Sequence, residues 1–117
     1  MFFNKKQIKY QDNLNGTYTL INQLAVTTDE WQVIKVPEGY TCNGSSIPRF
    51  FWRLCGAPSS PKNIRAGIVH DYIYSTRRYS REECDRLFYA ILRHEGKLWI
   101  IAKLMYFAVR LFGKSHY

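Results

Sequence analysis

The stretch IRAGIVHDYIY, Ile64 to Tyr74, decides how the rest of the chain is read. At 100° per residue, Ile64, Ile68 and Tyr72 fall on one side of a helix, and Ala66, Val69 and Ile73 take the others. A helix that is apolar all round is a buried helix. This one also carries His70 and Asp71 side by side. Buried polar and charged groups cost several kcal/mol, on the order of 2–7 for a neutral group, unless they are partnered. The two residues therefore predict either a structural hydrogen-bond network or an active site.

Toward the C-terminus, Ser80-Arg81-Glu82-Glu83 matches a capping box, with Ser80 as the cap and Glu83 reaching back to it. The helix it opens runs to about His94 and is closed by Gly96. Its apolar stripe is Cys84, Leu87, Phe88, Ile91 and Leu92, with Asp85 at the edge. A last helix, Lys97 to Gly113, is again apolar almost all round. Lys103, Phe107, Arg110 and Lys114 form its one narrow basic stripe.

Toward the N-terminus, Ser60-Pro61 looks like a cap and a first-turn proline that start the central helix, which ends near Thr76. Arg49 to Leu54 reads as a short helix or turn with a heavy aromatic load, Phe50, Phe51 and Trp52. Before it, Cys42 to Pro48 is a loop of small polar residues. Further upstream the period changes to two. Tyr18, Leu20, Leu24 and Val26 alternate with Thr19, Ile21, Gln23 and Ala25 across a strand from Thr17 to Val26. A second strand covers Trp31 to Val36, Pro37-Glu38-Gly39 turns, and Tyr40-Thr41 begin a third. The first 16 residues are polar with a few aromatics and end on the turn signal Asn13-Leu14-Asn15-Gly16. The expected fold class is α+β, a small N-terminal antiparallel sheet followed by a compact three-helix bundle. The chain is expected to be a single domain over 1–117, mainly strands over 1–41, loop and short helix over 42–60, and three helices over 61–113.

At 117 residues, 46% hydrophobic and 16% aromatic, the chain has the composition of a globular domain. Its net charge of +8 favours an acidic partner: nucleic acid, an anionic membrane surface or an acidic protein. The cations are scattered and accompany no recognition-helix pattern, so sequence-specific nucleic-acid binding is not expected. Three cysteines without a Cys-x-x-Cys pair argue against a disulfide framework and against a structural zinc site. The N-terminus lacks the apolar core of a signal peptide, and no stretch of about 18 apolar residues predicts a membrane span.

The residues that carry chemistry are the loop Asn43–Pro48, the pair His70-Asp71 with Tyr74, and Asp85. His70 and Tyr74 are four apart and share a helix face. His70 lies near the end of its helix and Asp85 near the start of the next, so both sit close to one connection. A carboxylate on an imidazole sets its tautomer and raises its basicity, as a water-activating base requires. On the alternative reading, His70, Asp71 and Asp85 only hold helices together, with Asp85 paired to Arg49 or Arg53. A third arrangement, Cys42 as a nucleophile with His70 as its base, has no further support in the sequence.

The blocks TCNGSSIPRFFW, AGIVHDYIY, SREECDRLFYAIL and LMYFAVRLFG occur in this order. The order resembles a family of uncharacterised bacteriophage and prophage proteins known as a domain of unknown function, over roughly residues 33–113. That family's loop commonly reads Asp-x-Ala-Ser-Ile/Val-Pro-Arg, and Asn43 stands here where the Asp is usual. The resemblance implies a phage-encoded protein of the host cytoplasm or the virion. A second, local resemblance joins His70-Asp71-x-x-Tyr74 and the later Asp85 to small bacterial phospholipases of the A-two type. It implies a calcium-assisted ester hydrolase: His70 the base, Asp85 its supporting carboxylate, and Tyr74 a hydrogen bond on the same helix face. It also implies calcium held by Asp71 and the carbonyls of Asn43 and Gly44. Arg49, Phe50 and Trp52 are expected to bind a partner, either anionic lipid or a phage or host protein. The competing expectation is a non-enzymatic virion component or host-factor binder. The sequence leaves the oligomeric state open.

Overall fold

The computed structural model describes residues 1–4, 8–15, 17–29, 32–42, 52–56 and 60–112. The chain divides into two compact units, Met1–Asn43 and Gly44–Tyr117. The order of elements, strands and then helices, is the α+β class expected.

Among its described residues the first unit holds two three-stranded antiparallel sheets where one was expected. Strands β1 (Phe2–Phe3), β4 (Leu24–Thr27) and β5 (Val33–Val36) form one sheet, in the order β1-β4-β5. Strands β2 (Tyr10–Asp12), β3 (Tyr18–Leu20) and β6 (Thr41–Cys42) form the other, in the order β2-β3-β6. The single strand expected from Thr17 to Val26 is therefore two. Its halves pair with different neighbours: Tyr18 faces Cys42 and Asp12, while Leu24 faces Val36. The chain bends between them at Ile21 and Asn22. The alternation survives the bend, because Tyr18, Leu20, Leu24 and Val26 are all buried. Ile34, Val36 and Cys42 complete this core. Gly39 adopts φ +85°, and the Tyr40 N–H donates to the Pro37 carbonyl at 3.2 Å. A turn with positive φ at its third residue takes glycine there without strain.

The second unit is helical. The short α1 (Trp52–Cys55) precedes α2 (Ile64–Thr76), α3 (Arg81–His94) and α4 (Trp99–Phe112). Helix α2 is buried from Ile64 through His70 and again at Ile73 and Tyr74, which accounts for its all-round apolarity. Its start differs from the expectation at Ser60-Pro61. Residues 61–63 form a turn in which the Asn63 and Ile64 N–H groups both donate to the Ser60 carbonyl. Asn63 is the N-cap but does not cap with its side chain, which instead donates to the Cys55 carbonyl at 3.1 Å.

Helix α3 is built as its sequence predicts. Ser80 Oγ accepts from the Glu83 N–H at 3.1 Å, and Glu83 Oε1 accepts from the Ser80 N–H at 3.0 Å. At the far end Gly96 takes φ +91°. Its N–H donates to Arg93 and that of Lys97 to Leu92, the paired bonds of a Schellman ending. Helix α3 packs against α2 on one side and α4 on the other. Arg65, early in α2, meets Glu95, just after α3, at 2.8 Å, so these two helices run antiparallel. Among the described residues no helix is long and apolar enough to cross a membrane.

Candidate functional site: a buried carboxylate with three donors

The connection between α2 and α3 spans only residues 77–80, with Arg77 in the left-handed region at φ 54°. It folds the start of α3 back along the end of α2. His70 and Tyr74, one turn apart on α2, thereby face Asp85 in the second turn of α3. Asp85 is 0% exposed and His70 3% exposed. His70 Nε2 lies 2.6 Å from Asp85 Oδ1, and the Tyr74 hydroxyl donates to the same oxygen. The other carboxylate oxygen, Oδ2, accepts from Arg110 Nη1 at 2.9 Å.

Arg110, on α4, is the member that sequence reasoning missed. It belongs to the basic stripe of the last helix, and its side chain is only 33% exposed. The guanidinium partner of Asp85 is therefore Arg110, while Arg53 is exposed on α1 and Arg49 lies outside the described residues. Arg81 is a second addition. Its Nη2 donates to the Val109 carbonyl at 3.1 Å and to the Arg110 carbonyl, so the first residue of α3 satisfies the last turn of α4. The sequence signal for both was weak: each is one arginine among 17 Lys and Arg residues.

Burial alone would push the Asp85 carboxyl up, but the hydrogen bonds from His70, Tyr74 and Arg110 outweigh it and hold the group below the ordinary carboxylate range. Tyr74 is shifted the other way: burial, then the bond to the Asp85 carboxylate, raise its phenol well above the usual value, against the opposing effect of Arg81. Asp85 is thus an anion, and Tyr74 a neutral donor, at neutral pH. An anionic Asp85 accepts from a proton-bearing Nε2 of His70. In the neutral ring the imidazole lone pair is then on Nδ1. The ring is held between Tyr74, with centroids 4.1 Å apart, and Phe88, at 4.9 Å.

Asp71 is half-buried on α2 and takes no part in the Asp85 cluster. Asn43 and Gly44, the other calcium ligands expected, lie outside the described residues, as does Phe50. Trp52 begins α1. A calcium ion takes hard oxygen donors, so a carboxylate with backbone carbonyls is a chemically suitable set, of which Asp71 is the described part. Among the described residues no group of three or more His, Cys, Asp or Glu side chains is placed to hold a metal.

The thiols fill core positions. Cys42 is buried in β6, and Cys84 on α3 has its thiol pushed up to about 12 by burial and by the neighbouring Asp85 and Glu83. A thiol so displaced is protonated and inert at neutral pH.

Two proteins of Sinorhizobium fredii (strain NBRC 101917 / NGR234) are similar to the chain. Uncharacterized protein y4jT is 36% identical over 78 residues, 67% of this chain and 23% of that protein. Uncharacterized protein y4iH is 31% identical over 83 residues, 71% of this chain and 34% of that protein. The chain thus spans about a quarter to a third of the length of these relatives. No solved structure matches it. A family profile covers residues 18–109, which takes in β3 through most of α4 and every member of the Asp85 cluster except Arg110, one position beyond its end. On that coverage, the chain belongs to the family described as Protein of unknown function (DUF1353).

Proposed function

We propose that this chain is a hydrolase that activates water on His70, acting on an ester in an anionic lipid. The observation that carries the reading is the 2.6 Å contact between His70 Nε2 and a fully buried, anionic Asp85. Such a carboxylate orients the ring, places the basic lone pair on Nδ1 and stabilises the imidazolium formed when the base is protonated. Tyr74 and Arg110 hold the carboxylate in position from α2 and α4.

In the reaction, His70 Nδ1 takes a proton from water as the water oxygen attacks the ester carbonyl carbon. The resulting tetrahedral intermediate collapses, the carbon–oxygen bond to the alcohol breaks, and the leaving alkoxide receives the proton from His70. The products are a carboxylic acid and an alcohol. Calcium bound at Asp71, with Asn43 and Gly44, would supply positive charge for the developing oxyanion. A phage or prophage origin, and with it a place in the host cytoplasm or the virion, belongs to the same proposal. It rests on the order of the four sequence blocks.

The test is fatty-acid release from phosphatidylglycerol vesicles, with and without calcium. Wild-type protein is expected to release acid only with calcium, and His70→Ala to lose on the order of 10²–10⁴ in rate, the usual contribution of a general base. No release by folded wild-type protein in the presence of calcium would overturn the proposal.

A second reading has its own support. His70 is 3% exposed between two rings, and the donors to Asp85 come from two different helices, α2 and α4, around α3. That is what a purely structural clasp requires, in a virion component or host-factor binder. On this reading His70→Ala lowers stability and the wild-type protein releases no acid.

A further inference from the structure

Helix α4 buries Ala102, Met105, Ala108 and Val109. On the opposite side Ile100, Leu104, Phe107 and Leu111 repeat at i, i+4, i+7 and i+11, and all four are exposed, Phe107 at 52% and Leu111 at 74%. This is a continuous apolar row about 16 Å long at 1.5 Å per residue. Single exposed apolar side chains need no explanation, whereas a contiguous row marks a contact surface.

Charge identifies what the row meets. From Gly96 to Tyr117 the sequence has no Asp or Glu, and of its cations Lys97, Lys103, Arg110 and Lys114, Arg110 is paired with Asp85 and Lys97 donates to the Cys55 carbonyl. Beside the row, α3 and α4 form an open groove of about 220 Å³ lined by Arg86, Tyr89, Lys103 and Tyr106. The Lys103 ammonium stands 5.3 Å from the Tyr89 ring centre and 6.0 Å from that of Tyr106. Two cations and two tyrosines line this cup, and the cations make it suited to a phosphate. One of those cations, Arg86, also pairs with Glu82 at 2.6 Å, which leaves the cup a net positive charge. A second copy of the chain would bring the same cations against themselves, and like charges in an interface are unfavourable.

We infer that α4 is a membrane-docking helix: its row Ile100–Leu111 enters the surface of an anionic phospholipid bilayer while the Arg86–Lys103 cup takes a headgroup phosphate. Helices that lie in the interface bury an apolar face in the boundary between headgroups and chains, and add electrostatic attraction to anionic lipid. This inference rests on the lipid half of the proposed function and is independent of the chemistry at His70.

The test is co-sedimentation of the 117-residue chain with phosphatidylglycerol vesicles and with phosphatidylcholine vesicles. Wild-type protein is expected to pellet with the first and stay in solution with the second. Phe107→Glu and Lys103→Glu are each expected to weaken vesicle binding about tenfold, with circular dichroism unchanged because both side chains are exposed. His70→Ala is expected to bind like wild type, so loss of turnover with retained binding counts against the base alone. Three results would overturn the docking surface: equal binding to both lipids, undiminished binding by both variants, or a dimer in solution that Phe107→Glu dissociates in a chain that binds no vesicles.

Discussion

At the scale of single residues, Asp85 concentrates the energetics of the helical unit. Its carboxylate is buried and receives His70, Tyr74 and Arg110. Asp85→Ala would strand those donors without a partner, and breaking a buried ion pair costs about 3–5 kcal/mol. Urea denaturation should show that loss directly. Tyr74→Phe removes one hydrogen bond to a charged acceptor and is expected to cost about 1.5–3 kcal/mol in the same measurement. The pH dependence follows from the direction of the Asp85 shift. Its folded carboxyl titrates below the ordinary range, so in acid the folded state binds fewer protons than the unfolded chain. The stability it contributes is full above the unfolded value, about 4, and is lost as pH falls through the lower folded value. A denaturation series from pH 7 to pH 3 should show the decline beginning near that unfolded value, and Asp85→Asn should remove that component.

At the scale of elements, local chemistry decides where α3 begins and ends. The reciprocal bonds of Ser80 and Glu83 satisfy N–H groups that no helical carbonyl can reach. Ser80→Ala is expected to cost about 1 kcal/mol, read as a lowered melting midpoint by circular dichroism. Gly56 tests a different kind of constraint. It sits at φ +88°, and a Cβ there would lie 3.0 Å from Ser60 Oγ and 3.1 Å from Asn63 Nδ2. Gly56→Ala therefore meets both a strained backbone and a crowded turn just before α2. The capping box and the Gly96 ending were legible in the sequence, because each is a signal of a few consecutive residues. The start of α2 was not. Ser60-Pro61 carries the local pattern of a cap, yet the Asn63 amide is drawn off to the Cys55 carbonyl, a residue from the other side of the turn. The single expected strand from Thr17 to Val26 failed for the same reason. Its alternation is continuous, and only the identity of its partners, Tyr10–Asp12 and Thr41–Cys42 against Phe2–Phe3 and Val33–Val36, divides it between two sheets.

At the scale of the whole molecule, the distribution of charge matters more than its sum. The chain carries +8, and the last 22 residues contain four cations and no acid. If α4 docks on anionic lipid, salt should weaken the association, since the Debye length shrinks from about 10 Å at 0.1 M to about 3 Å at 1 M. Vesicle binding of the wild-type chain is therefore expected to fall steeply over that range, and the residual binding at high salt should depend on Phe107. The described relatives extend well beyond the region they share with this chain.

What the sequence determined by itself was periodic or local: the buried α2, the amphipathic α3 with its caps, the alternation that fills the strand core, and the closeness of His70 and Asp85 to one short connection. These follow from spacing along the chain, which sets the face on which a side chain lies. What only the tertiary structure decided was long-range: two sheets in place of one, the Arg110 guanidinium on the far oxygen of Asp85, Arg81 on the end of α4, and the exposed side of a helix whose sequence is apolar nearly throughout. A residue 25 positions away can complete a buried ion pair only once two helices have packed, and no periodicity in the chain records that event.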